Sequence, residues 1–94
     1  MINNGRKKGT FRFSLKVNGQ TEKVFLAGDF NDWKPARMRK QKNGQYALTL
    51  PLNDGSYQYK FKVGDNWLLD PDNHRNAENE FGTLNSLAEV PELP

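Results

Sequence analysis

Between Thr10 and Val17 every second residue is apolar, with Phe11, Phe13, Leu15 and Val17 alternating with polar neighbours. A period of two sends successive side chains to opposite faces of an extended chain, so the segment predicts a strand with one buried face. Asn18-Gly19 follows, a pair that accepts the positive φ angles of a tight turn. Lys23 to Ala27 predicts a second, more continuously apolar strand. Gln45 to Leu50 puts Tyr46, Leu48 and Leu50 on one side, introduced by Asn43-Gly44 and stopped by Pro51. After the Asn53-Asp54-Gly55 turn, Ser56 to Val63 has the cleanest alternation, with Tyr57, Tyr59, Phe61 and Val63 inward and Gln58, Lys60 and Lys62 outward. Gly64-Asp65-Asn66 turns the chain into Trp67-Leu68-Leu69, and Leu84 to Val90 predicts the last strand. No window carries helical periodicity. Short strands separated by turn signals predict an all-β domain, a sandwich or a small barrel. Two facing sheets bury more apolar surface than a single sheet of this size.

Composition narrows the picture. The 94 residues fit one domain, and six Phe, three Tyr and two Trp supply the material for a core. With no Cys there is neither a disulfide framework nor a thiolate for catalysis or metal binding. Residues 1–9 are polar and basic and read as a disordered start, 10–90 as the folded module, and 91–94 as a tail. No apolar run resembles a signal peptide or a membrane span, so a soluble, cytoplasmic protein without membrane partners is expected.

The net charge is +3, but its distribution is uneven. Residues 1–47 hold 11 basic and 3 acidic side chains, and 48–94 hold 3 and 8. Lys34, Arg37, Arg39, Lys40 and Lys42 run without an intervening carboxylate. Such a run is most often a solvated face, although it also suits an anionic partner.

Catalysis finds little support. His74 has no Cys partner, and no Gly-x-Ser-x-Gly turn supports a nucleophilic Ser. Asp29 with Asp32, or Asp65 with Asp70, would be the carboxylate pairs for glycoside hydrolysis, but each lies beside turn residues whose backbone Asp commonly bonds. Asp70-Pro71-Asp72-Asn73 lacks the central Gly and terminal Glu of a calcium loop. Neither a metal nor a cofactor is expected.

The two Trp are more informative. Trp33 closes the turn-rich stretch after the second strand, and Trp67 follows the turn after the longest one. A flat indole matches the C–H face of a sugar ring, while nearby amides and ammonium groups match its hydroxyl edge. Spacing alone leaves this evenly balanced against burial of both indoles between the sheets.

Phe25-Leu26-Ala27-Gly28-Asp29-Phe30-Asn31-Asp32-Trp33 resembles the opening motif of the glycogen-binding domain of the AMP-activated protein kinase β subunit. That motif also marks the family 48 carbohydrate-binding modules at the N-termini of isoamylases and branching enzymes. The resemblance continues through Gly55 to Val63, Trp67, Asp70-Pro71 and Phe81-Gly82-Thr83-Leu84-Asn85, and spans about Thr10 to Val90. It implies an immunoglobulin-like β-sandwich of the early-set type, with two antiparallel sheets and no catalytic activity. Its implied ligands are α-1,4-linked glucans such as glycogen, starch and cyclodextrins. A glucan-metabolising enzyme or a kinase complex is the implied protein partner.

Carried over by position, Trp33 and Trp67 are the stacking platforms and Lys60 reaches sugar hydroxyls. Thr83 and Asn85 are polar contacts, and Phe81 is the apolar residue that enters the turn of the glucan helix. Each has a plainer reading: Lys60 as a solvated strand residue, Asn85 as a partner for backbone, Phe81 as core. Two other functions compete. One is an adaptor domain that docks on an enzyme without sugar affinity. The other, weaker because of the modest charge and the missing RNA-binding signature, is a single-stranded nucleic-acid binder.

Overall fold

The computed structural model describes residues 1–17 and 23–90 as two facing antiparallel sheets. The predicted Asn18-Gly19 turn and the tail at 91–94 lie outside the described residues. The chain forms β1 (Ile2–Asn4), β2 (Thr10–Lys16), β3 (Val24–Gly28), a 3-10 turn (Asp29–Asn31), β4 (Ala36–Arg37) and β5 (Arg39–Lys40). It continues with β6 (Gln45–Pro51), β7 (Gly55–Val63), β8 (Asn66–Leu68), β9 (Asn76–Glu78) and β10 (Leu84–Val90). One sheet has the order β1-β2-β6-β5, the other β4-β3-β7-β10-β9, with β8 also paired to β7. The architecture is an immunoglobulin-like β-sandwich. Among the described residues no helix is long and apolar enough to cross a membrane.

The alternation explains the core. Phe11, Phe13 and Leu15 on β2 face Leu26 on β3 and Tyr59 and Phe61 on β7, and all six are buried. Aromatic contacts join the sheets, Phe13 meeting Tyr59 at 5.1 Å and Phe30 at 5.2 Å, while Tyr59 meets Phe61 at 5.8 Å along β7. Tilted and edge-on pairs at these separations suit the ring quadrupoles.

Segment 36–40 passes from one sheet to the other. Ala36–Arg37 pairs with β3, Arg39–Lys40 pairs with β6, and Met38 between them is buried. The Met38 N–H donates to the Val24 carbonyl at 2.8 Å. Lys34, Arg37, Arg39, Lys40 and Lys42 are all exposed, as a solvated face requires.

Residues 1–9 correct an expectation. They are not a disordered start: Ile2–Asn4 pairs with Phe11–Phe13 of β2, and Ile2 is buried. Two adjacent apolar residues at the head of a polar, basic run leave no periodic signal, and the pairing energy comes from a preformed neighbour. The Met1 amino group donates to the Ser14 carbonyl at 2.8 Å and forms an ion pair with Asp70. Asp70 is buried and also accepts from the Tyr59 hydroxyl at 2.7 Å and from the Asp72 N–H at 3.0 Å. This carboxylate belongs to the interior and caps its own turn.

Candidate functional site

The outer face of the β3-β7-β10 sheet is built from the polar positions of the alternation. Gln58 and Lys60 project there from β7, and Asn85 joins them from β10 through its Nδ2, which donates to Gln58 Oε1 at 2.9 Å. Only 4% of Asn85 is exposed, so this bond holds its amide in place against the strand. Its partner is a side chain and not the backbone. Lys60 is half-buried, and among the described residues no carboxylate lies within ion-pairing reach of its ammonium.

Trp33 is set by the turn that ends β3. Gly28 N–H donates to Asn31 Oδ1 at 3.0 Å, Asn31 Nδ2 donates to the Leu26 carbonyl at 3.2 Å, and Trp33 N–H donates to the Gly28 carbonyl at 2.9 Å. Asp32 and Trp33 then adopt φ of 54° and 60°. Asp tolerates this left-handed region, whereas a bulky Trp there is strained and must be held by its surroundings. Asp29 supplies the hold. One carboxylate oxygen accepts from Trp33 Nε1 at 3.0 Å and the other from the Gln58 backbone N–H at 2.7 Å. Both oxygens are thus engaged in fixing an indole and a strand, which favours a turn role for Asp29 over hydrolysis.

Trp67 lies on β8 opposite Lys62, is 46% exposed, and has the Lys62 ammonium 5.6 Å from its ring centroid. That is cation–π range. Among the described residues Phe81 is the most exposed large apolar residue, at 82%, and is not core. The Asn79 side chain ties down the turn that carries it: Oδ1 accepts from the N–H groups of Phe81 and Thr83 at 2.9 and 3.1 Å, and Nδ2 donates to Thr83 Oγ1 at 2.6 Å. Gly82 completes the turn with φ of 79°.

All six residues singled out from the sequence, Trp33, Lys60, Trp67, Phe81, Thr83 and Asn85, line one open cavity of about 610 Å³. Asp29, Gln58 and Asn79 line it as well, with Glu78 and Glu80 on its β9 side. Sequence reasoning missed the supporting roles of Gln58 and Asn79. Only the Asn79-to-Gly82 stretch carried a signal, since Asn commonly bonds backbone two residues ahead in a turn. Asp32, Asp65 and Asp70 do not line this cavity. Among the described residues no group of three His, Asp or Glu is placed to hold a metal ion.

The sandwich is shared with domains of larger enzymes of known structure. A maltogenic amylase from S. marinus aligns with 89% of this chain at a TM-score of 0.72 and 24% identity, over 14% of its own length. A pullulanase from Paenibacillus barengoltzii aligns with 94% of the chain at a TM-score of 0.56 and 23% identity, also over 14% of its length. At these identities the likeness defines the fold. Residues 11–93 match the family described as the glycogen recognition site of AMP-activated protein kinase, and the chain belongs to that family. The beta-1 subunit of 5'-AMP-activated protein kinase from Rattus norvegicus is 33% identical over 76 residues, which is 81% of this chain. The beta-2 subunit from Mus musculus is 32% identical over 69 residues, or 73%. The chain spans only 27% and 25% of the length of these two relatives.

Proposed function

We propose that this protein is a non-catalytic module that binds α-1,4-linked glucans. The observation that carries the reading is the convergence of Trp33, Trp67, Lys60, Phe81, Thr83 and Asn85 on one open cavity. Two indoles and an exposed phenyl ring offer flat apolar faces to the C–H side of consecutive glucose units. The Lys60 ammonium, the Thr83 hydroxyl and the Asn85 amide offer partners to their hydroxyls. Membership of a family described by glycogen recognition supports the same ligand class. The folded binding unit is taken as residues 10–90 joined by β1.

Each aromatic contact contributes on the order of 1 kcal/mol beyond area burial, and each hydrogen bond roughly 0.5–1.5 kcal/mol. Ordering a flexible sugar offsets much of this, so affinities of about micromolar to millimolar are expected. Titration with maltoheptaose followed by Trp fluorescence, with glycogen co-sedimentation beside it, tests the reading. Trp33→Ala and Trp67→Ala should each weaken binding by about tenfold, the equivalent of ~1.4 kcal/mol. Unchanged fluorescence and co-sedimentation of the wild type at millimolar sugar would refute it.

The adaptor reading stays in play because the matched relatives are subunits of a kinase and the matched structures belong to larger enzymes. Under it, a partner enzyme co-purifies with the double Trp variant as well as with the wild type, and neither form sediments with glycogen.

A further inference from the structure

We infer that the glucan site continues, along one cross-strand row, into a cationic subsite for a phosphate monoester carried on the glucan. The inference rests on the glucan-binding reading and names a substrate class within it. The row consists of Arg37 on β4, Phe25 on β3, Lys62 on β7 and Trp67 on β8, each directly opposite the next in the register. Directly opposed residues of antiparallel strands project from the same face of the sheet. Three strand spacings of ~4.8 Å carry the row about 14 Å from Trp67 to Arg37. A glucan stacked on Trp67 and extending toward β4 therefore passes over Lys62, then Phe25, then Arg37.

The chemistry of the row suits a charged sugar. Phe25 is half-buried and gives a flat apolar floor between two cations. Arg37 is exposed, and Lys62 lies against the Trp67 ring. Lys60, two residues from Lys62 on the same face of β7, adds a third positive charge at the cavity wall. Among the described residues the ion pair is that of Met1 with Asp70, so these three cations have no carboxylate partner. The acidic wall of the cavity, Glu78 and Glu80, lies past β10 at the opposite edge of the sheet. The carboxylates of that wall thus lie away from the row, and Asp29, the other acidic residue of the cavity, has both oxygens engaged by Trp33 and the Gln58 N–H. Neutral hydroxyls can take single hydrogen bonds from such cations but leave their charge unneutralised. A phosphate monoester brings close to two negative charges and three strong acceptor oxygens, which an ammonium and a guanidinium bind by charge-assisted hydrogen bonds. The phosphate-bearing glucose unit is assigned to the β3–β4 side of Trp67.

The test compares one phosphorylated amylopectin preparation before and after phosphatase treatment, with binding measured by co-sedimentation and by Trp fluorescence. The wild type should bind the phosphorylated polymer about tenfold tighter at low salt, from two charge-assisted contacts on an exposed face. The preference should shrink as ionic strength rises to about 1 M, where the Debye length falls to ~3 Å. Arg37→Gln should lower the preference without changing affinity for the dephosphorylated polymer, and Arg37→Lys should restore part of it. The Arg37→Gln/Lys62→Gln double variant should show no preference. Equal binding of both polymers by the wild type would overturn the subsite and leave glucan binding standing. Binding to neither would overturn both. A preference that survives in the double variant would remove it from this row. Full displacement by free glucose 6-phosphate at equal phosphoryl concentration would assign the row to a free sugar phosphate, against the proposal.

Discussion

Phe81 stands out of the surface on a turn of four residues, and a single side chain decides where it points. Asn79 accepts two backbone N–H groups of that turn and donates to the Thr83 hydroxyl. Replacing it by Ala removes these three hydrogen bonds and a longer fourth, from Nδ2 to Asn85 Oδ1 at 3.4 Å, mostly from an exposed loop where water can substitute, so the stability cost should be modest, about 1 kcal/mol. The effect on binding should be larger in proportion, because Phe81 and Thr83 would lose their common orientation. Asn79→Ala is expected to weaken maltoheptaose binding about three- to tenfold while shifting the melting temperature by only a few degrees. A variant that binds like the wild type would mean that the turn holds its shape through Gly82 and backbone bonds alone. The aromatic members of the candidate site were legible only through the family resemblance, since spacing alone suited burial of Trp33 and Trp67 equally well and Phe81 could equally have been core. Gln58 stayed illegible and Asn79 showed only its turn preference, since a polar side chain acquires its role from the atoms that folding brings within about 3 Å.

The strand-to-turn junction after β3 shows the same dependence on a larger scale. Gly28 has extended φ and ψ, so conformational freedom does not explain it. Space does: a Cβ built there would lie 2.6 Å from the Gln58 carbonyl oxygen and 2.8 Å from the Phe30 ring. Gly28→Ala must therefore push β3 from β7 or move Phe30, which anchors the 3-10 turn against Phe13. Overpacking of this kind costs about 1–3 kcal/mol. Because Trp33 N–H bonds the Gly28 carbonyl, the displacement should also tilt Trp33. Lower thermal stability together with a changed Trp emission would fit this account, and neither change would contradict it. Elements of five residues or more were readable because alternation needs several turns of its period to stand out, as β2, β6, β7 and β10 do. β1, β4, β5 and β9 hold two or three residues each, and their pairing is decided by neighbours distant in sequence. The crossing at Met38 is of this kind: one apolar residue among Arg and Lys looks like chance until two sheets are in place to bury it.

Stability of the whole sandwich depends on a polar knot that joins its two sheets. Asp70 is buried, and its carboxylate receives the Tyr59 hydroxyl from one sheet and the Met1 amino group from beside β1 in the other. Its own N–H donates to Ser86 Oγ at 2.8 Å, and Asn73 Nδ2 donates to Tyr59 Oη at 3.0 Å. A carboxylate out of water is tolerated only while each of these partners is present. A chain starting at Thr10 retains every residue that lines the candidate cavity but lacks β1, the buried Ile2 and the cation facing Asp70. Removing one partner of a buried pair typically costs about 3–5 kcal/mol, less here because the Met1 side is half exposed, and loss of buried Ile adds roughly 1.5–3 kcal/mol. For a domain of this size each kcal/mol lowers the melting temperature by about 4–8 °C. The truncated chain should therefore melt well over 10 °C below the full one, a drop that differential scanning calorimetry resolves. Below its melting point it should bind maltoheptaose unchanged, because the cavity and the knot lie on opposite sides of the β7 sheet. Coincident melting curves would show that β1 and its ion pair contribute nothing to the fold, whereas a loss of sugar affinity in the folded truncation would show that the first sheet shapes the site across the core.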